Sequence, residues 1–335
     1  VSRPTMTGAA SQGTTLRRRP GPPRTPVPDR RASSREASPR QRSRLAAQPL
    51  STRLFGYALI APIVVIMGLV IVYPLINAVV TSFQDQRVIG SSSDFVGFAT
   101  YAKIIGDPEF WAALGRSTFW LFANMIVQTV FGFMTALLLQ RSGRWSRTAR
   151  TWIVLPWVIP TVAVAVIWQW MLNSNYGVIY KAFDSIGIDI GSPFGDSAIA
   201  LVAIVLINSW HWFPLSAVII YGALSTVPHE VIEAARMDGA NAWRLFWAVT
   251  YPLLQPVLFS IALVGSLWSF NILDSIYLIT EGGPAGSTTT VPVYIYDTAF
   301  SAFRSSQAAA ASVLTVIVLG VAALLFVRFG RPKED

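Results

Sequence analysis

Six stretches of the chain, at 54–82, 113–139, 152–172, 199–224, 253–280 and 308–329, are apolar for the length of a bilayer crossing. A helix needs roughly 20 such residues to cross the hydrocarbon core, and inside lipid each backbone N–H and C=O must be paired within the protein. The pattern therefore predicts an all-α integral membrane protein with six transmembrane helices. Charged residues are only 13% of the 335, about half their usual share in a soluble domain. The second and fourth stretches are the least uniform, because Asn124, Gln128, Asn208 and His211 interrupt them.

Charge orients these spans. The net charge of +9 is not spread along the chain. Residues 1–53 hold twelve arginines against Asp29 and Glu36, whereas the other 282 residues come to −1. Residues 1–50, rich in Arg, Pro, Ser and Gly without apolar periodicity, read as a disordered cytoplasmic tail. An Arg-rich arm suits nucleic acid or an anionic membrane face. The span that follows at once selects the membrane lipid, so no nucleic-acid partner is expected. Arg141, Arg144, Arg147 and Arg150 crowd one short loop, and Arg328, Arg331 and Lys333 lie at the C-terminus. The loops at 83–112, 173–198 and 281–307 hold more acids than bases. Positive loops stay inside, which places both termini, 141–150 and 225–252 in the cytoplasm.

Several chemistries lack their residues. There is no cysteine, and only His211 and His229 supply imidazole, so neither a metal centre nor a thiol nucleophile is expected. No Gly-x-x-x-x-Gly-Lys-Ser/Thr pattern occurs, so no nucleotide cofactor is expected on this chain. The Gly-rich run at 282–288 lacks the lysine and reads as a turn.

The segment 225–252 is a polar insert between two spans. Thr226 is a candidate cap for a helix with Pro228, His229 and Glu230 in its first turn. Gly239 can end that helix in the left-handed conformation. Asn241 can cap a second helix reaching about Thr250, before Pro252 and Pro256 bend the chain at the membrane. The expectation is a helix–turn–helix elbow able to enter a partner's cleft.

Glu233-Ala234-Ala235, with Gly239 after three intervening residues and Val249, Tyr251 and Pro252 beyond, resembles the EAA loop of ABC importer permeases. The stretch 147–160, continued by Trp168, Trp170, Asn173, Tyr176 and Gly177, resembles the third span of MalF/UgpA-like carbohydrate permeases. Asn271, Ile276, Tyr277 and Leu278 with Gly282-Gly283-Pro284 resemble the fifth span and its exit. The resemblance covers about 54–330 and implies the type I ABC importer permease fold. It implies a non-catalytic subunit working with a second, MalG-like permease, two ATP-binding cassette ATPases that bind ATP and Mg, and an extracytoplasmic solute-binding protein. A sugar substrate is implied by the same resemblance. Glu233, Ala234, Ala235, Met237, Asp238, Gly239, Leu245, Phe246 and Pro252 would then form the ATPase-coupling site, with Glu233 as ionic contact and Met237, Leu245 and Phe246 filling a groove.

Polar residues at membrane depth face a cavity or a partner helix. Asn124, Gln128, Asn208, Trp210, Asn271 and Asp274 are the candidates for a substrate pathway. Asn271 and Asp274, three apart, are expected on one helix face. Trp168, Trp170, Trp210, Trp212 and Trp268 offer flat faces for a sugar ring. The run Ala308–Ala311 reads as close helix packing. The alternative is an ion-coupled secondary transporter, which needs an ionisable relay or an inverted repeat; Asp274 is the one clear acid deep in a span, and no repeat is visible.

Overall fold

The computed structural model of the protein describes residues 50–88, 93–140 and 144–330. The expected tail lies outside the described residues except for Leu50, as do Arg141, Arg331 and Lys333. The chain divides into two compact units, Val1–Met67 and Gly68–Asp335. Of the first, one helix is described, α1 (Leu50–Met67).

The second unit opens on a wide turn, Gly68–Val72, and helix α2 (Tyr73–Ser82). A two-stranded antiparallel ribbon follows, β1 (Gln84–Asp85) with β2 (Asp94–Phe95). The remaining helices are α3 (Ala99–Ile105), α4 (Pro108–Gln140), α5 (Arg144–Ile153), α6 (Leu155–Val158), α7 (Thr161–Met171), α8 (Val178–Ser185), α9 (Ala200–Leu224), α10 (His229–Met237), α11 (Ala242–Leu245), α12 (Tyr251–Phe270), α13 (Asp274–Thr280), α14 (Val291–Tyr296) and α15 (Ser305–Gly330).

Five helical stretches are long and apolar enough to cross a membrane: Tyr57–Ser82, Pro108–Gln140, Ala200–Leu224, Ala242–Phe270 and Ser305–Gly330. The remaining expected span, the third at 152–172, is a broken pair, Thr148–Val158 and Thr161–Met171, bent by 93°. Proline explains the break. Ile159 precedes Pro160 and is extended, at φ −69° and ψ 130°, as a residue before proline must be to avoid its ring. The fifth expected span, 253–280, is also shorter than its apolar run. It stops at Phe270, where the Asn271 side chain donates to the Leu267 carbonyl at 2.8 Å and so satisfies an end carbonyl. The chain restarts at Asp274, which corrects the expectation that Asn271 and Asp274 share a helix face.

The most extensive packing is between α4 and α9. Small residues make it possible. Gly132 and Ala136 are buried on α4, and Ser209, Ser216 and Ala217 on α9. At Gly132 the helices nearly touch: a Cβ there would lie 2.9 Å from the Ser216 Cβ and 3.1 Å from the Ala217 nitrogen. Lipid supplies no hydrophobic force between helices, so such close approach is the main source of cohesion. The ends of these helices are also pinned. Arg150 Nη2 donates to the Leu139 carbonyl at 3.0 Å, and its guanidinium stands 4.6 Å from the centre of the Tyr221 ring.

α15 packs on α2, and Ala308, Ala310 and Ala311 are buried, as the small-residue run implies. At that end Ser306 Oγ accepts from the Gln86 N–H at 2.6 Å. The Tyr294 phenol donates to Asp107 at 2.6 Å, and burial, followed by that carboxylate, pushes its pKa well up. The 282–288 run is a turn, held by Thr288 Oγ1 donating to the Gly283 carbonyl at 2.7 Å. Gly282 there has φ +84°.

Gly132→Leu should destabilise the permease by about 1–3 kcal/mol or more, since overpacking forces the helices apart. Gly222→Ala, whose Cβ meets open space, should not. Thermal unfolding in detergent compares the two; equal midpoints would remove the close-crossing account.

Candidate functional site

The polar insert folds as an elbow, through local chemistry. α10 ends at Asp238, and Gly239 takes φ +80°, where an L side chain is strained. The Gly239 N–H donates to the Arg236 carbonyl and the Ala240 N–H to the Ala235 carbonyl, both at 3.0 Å, closing the turn. Asn241 caps the second arm as expected, its side chain accepting from the Arg244 N–H at 2.8 Å. Thr226 does not cap the first arm. Its hydroxyl turns back to the Ala223 carbonyl at 2.8 Å, and Pro228 occupies the capping position with no side-chain bond.

The second arm is not a separate helix. α11 runs through a wide turn, Phe246–Thr250, into α12, and Ala242–Phe270 forms one of the candidate spans. Pro252, in the first turn of α12, falls just after the wide turn, where its missing N–H costs little. Whatever moves the elbow therefore moves the span directly.

Glu233, Ala234, Met237, Asp238 and Gly239 are exposed, Ala235 is half-buried, and Met237 is 89% exposed. Glu233 makes no ion pair among the described residues. Leu245 and Phe246 differ from expectation. Both are half-buried, and Phe246 packs edge-on against Phe133 of α4 at 5.2 Å and against Trp247 at 4.9 Å. An aromatic ring beside a membrane surface finds its nearest apolar partner in its own chain. Trp243, passed over in the sequence reading, is 72% exposed and stands edge-on to Trp247 at 5.6 Å. An aromatic residue inside a polar insert was the available signal.

Within the spans the candidate pathway residues separate. Asn124 and Asn208 are buried and bonded to each other, Asn208 Nδ2 donating to Asn124 Oδ1 at 2.7 Å. Ser209 Oγ at 3.1 Å and Gln128 Nε2 at 3.2 Å donate to the same oxygen. Asn124 Nδ2 returns to the Trp120 carbonyl at 2.9 Å, and Ser275 Oγ reaches Asn208 Oδ1 at 3.3 Å. Asn124 and Asn208 thus join α4, α9 and α13 rather than facing open space. Trp210 stands edge-on to Trp168 at 5.4 Å. Asn271 and Asp274 are exposed.

Gln128 does reach an open space. It lines a cavity of about 520 Å³ between α4, α9 and α12, with Trp212, Ser216, Ser260, Trp268 and Ser269 and otherwise apolar side chains. The rings of Trp212 and Trp268 are 5.9 Å apart and tilted. Ser269 Oγ is buried and has no hydrogen-bond partner among the described residues. No cluster of His, Asp or Glu suited to a metal occurs among the described residues.

Residues 128–333 match the family described as binding-protein-dependent transport system inner membrane component. The chain belongs to that family. The match takes in the cavity-lining glutamine and the whole elbow, and it makes the protein a non-catalytic, multi-pass permease subunit of an ABC transporter. Ion-coupled secondary transport is set aside with it. Among curated relatives, the diacetylchitobiose uptake system permease DasB of Streptomyces coelicolor is 30% identical over 304 residues, covering 88% of this chain and 92% of its own. The lactose transport system permease LacF of Rhizobium radiobacter is 31% identical over 285 residues, covering 83% and 94%. A bacterial ABC transporter that imports alginate has a chain that superposes with a TM-score of 0.75 at 18% identity, over 85% of this chain and 98% of that one. The type I importer permease fold is thereby shared.

Asn124→Leu should cost about 1–3 kcal/mol, because Asn208, Ser209 and Gln128 lose their common acceptor. Transport by the surviving protein should keep its substrate KM. Thermal unfolding together with uptake kinetics checks this: unchanged stability with altered KM would place Asn124 in the pathway instead.

Proposed function

We propose that this chain forms half of the translocation pathway of an ATP-driven importer for neutral sugars, and that its elbow docks an ATPase subunit. The exposed elbow carries this reading. A polar helix, a left-handed glycine and a capped second arm project apolar Met237 beside the carboxylate of Glu233, which makes no ion pair among the described residues. Small Ala234 and Gly239 permit a partner surface to come close. This is the chemistry of a short helix seated in a groove. Because the second arm continues into α12, rigid motion of the ATPase shifts the wall of the cavity. The coupling is reciprocal, so ATP binding and outward opening favour each other.

The cavity supports the sugar reading. No charged side chain lines it, two indoles give flat apolar faces, and Gln128 and Ser260 give hydrogen-bonding groups. Two relatives carry the names of disaccharide uptake systems, for diacetylchitobiose and lactose. The remaining partners proposed are a MalG-like permease closing the open side of the cavity, a second ATPase and an extracytoplasmic solute-binding protein. The arginine pattern supports cytoplasmic termini and a cytoplasmic elbow.

Gly239→Pro cannot keep φ +80°, since proline fixes φ near −65°. It should abolish co-purification of the ATPase and uptake while leaving the spans folded. Met237→Asp should weaken ATPase affinity by about tenfold or more, the scale of one lost apolar anchor. Uptake that survives Gly239→Pro would end the coupling role of the elbow.

A further inference from the structure

We propose a second carbohydrate site, outside the membrane pathway, at the far end of α7, where one neutral sugar ring rests before entering the spans; the proposal rests on the sugar-import reading. A pocket of about 300 Å³ lies there, near the lower limit for small-ligand sites and sized for a single ring. It shares no lining residue with the membrane cavity. The 173–198 segment that contributes to it carries a single lysine and no arginine, which supports an external position for it.

The lining has the two surfaces a sugar requires. A pyranose has apolar C–H faces and a rim of hydroxyls. Trp170 and Tyr176 are 66% and 57% exposed, and neither ring contacts another among the described residues. The hydrogen-bonding groups are oriented beforehand. Gln169 Nε2 donates to the Leu278 and Ile279 carbonyls at 3.1 and 2.7 Å, which fixes its amide plane and leaves Oε1 as a free acceptor. Asn173 Oδ1 accepts from the Asn175 N–H at 2.9 Å, which leaves Nδ2 as a free donor. Ser174 and Ser192 add hydroxyls. No lining side chain is charged, which selects a neutral ligand over an acidic one.

One turn of the pocket wall is fixed by its backbone. The Gly177 N–H donates to the Asn173 carbonyl at 2.8 Å. A Cβ on Gly177 would lie 2.5 Å from the carbonyl oxygens of both Met171 and Asn173, so only glycine closes this turn. A site ordered before binding loses less entropy when the ligand arrives. The tryptophan, asparagine, tyrosine and glycine of this stretch thereby acquire one shared purpose.

The test is saturation-transfer NMR on the full permease complex in nanodiscs, without ATP or solute-binding protein, with methyl β-D-glucopyranoside and methyl β-D-N-acetylglucosaminide as probes. Ring-proton saturation of at least one probe is expected. Its affinity should fall about tenfold in Trp170→Ala, the scale of one stacking contact, and recover in Trp170→Phe. Asn173→Ala should weaken it independently. Retention of the ATPase, measured on the same samples, reads the importer assignment separately. Its loss from the wild type with sugar saturation intact would sink that assignment and spare the site. An absent wild-type signal, or one unchanged by Trp170→Ala, overturns the site whatever the ATPase does.

Discussion

Water is absent from the bilayer core, so each polar group placed there needs a partner inside the protein. The Asn124 carbonyl oxygen is where this constraint gathers. It accepts from a second asparagine, a serine and a glutamine, and through them three helices are held in register. The cavity beside it takes its shape from that registration, because α4 and α9 supply part of its wall. The same network gives Gln128 two surroundings at once, one amide end tied to Asn124 and the rest of the side chain at the open space.

Cohesion between the helices comes from closeness rather than from hydrophobic force. Gly132 against Ser216 and the alanines of α15 bring backbones into contact that larger residues would prevent. The alanine run of α15 reads in the sequence as a packing face, whereas the isolated Gly132 does not, yet both decide which helices are neighbours. Proline acts in the opposite sense. Pro160 bends the third hydrophobic stretch by 93°, whereas Pro214 and Pro256 sit within helices that run through.

The elbow shows which parts of a site can be read locally. Gly239 and Asn241 work through bonds to residues three positions away, so sequence alone identified the turn and the second cap. Thr226 had two carbonyl or amide partners within reach and took the one behind it. Phe246 was expected to face a partner, but Phe133 lies 113 positions earlier in the chain and only the fold brings the two rings together. The second arm's merger with α12 was hidden for a related reason: a proline near a helix start and a proline that breaks a helix look alike until the wide turn before Pro252 is seen.

By itself the sequence determined the helical membrane class and the elbow with its glycine turn. These follow from hydropathy length and short-range backbone chemistry, both of which are written in consecutive residues. The tertiary structure alone decided which polar residues tie helices together and which face open space. Asn124 and Gln128 are one helical turn apart and chemically alike, but the first is enclosed by α9 and the second borders a cavity. It also decided that Asn271 and Asp274 belong to different helices. Such distinctions depend on what stands opposite a side chain, and residues far apart in sequence supply that.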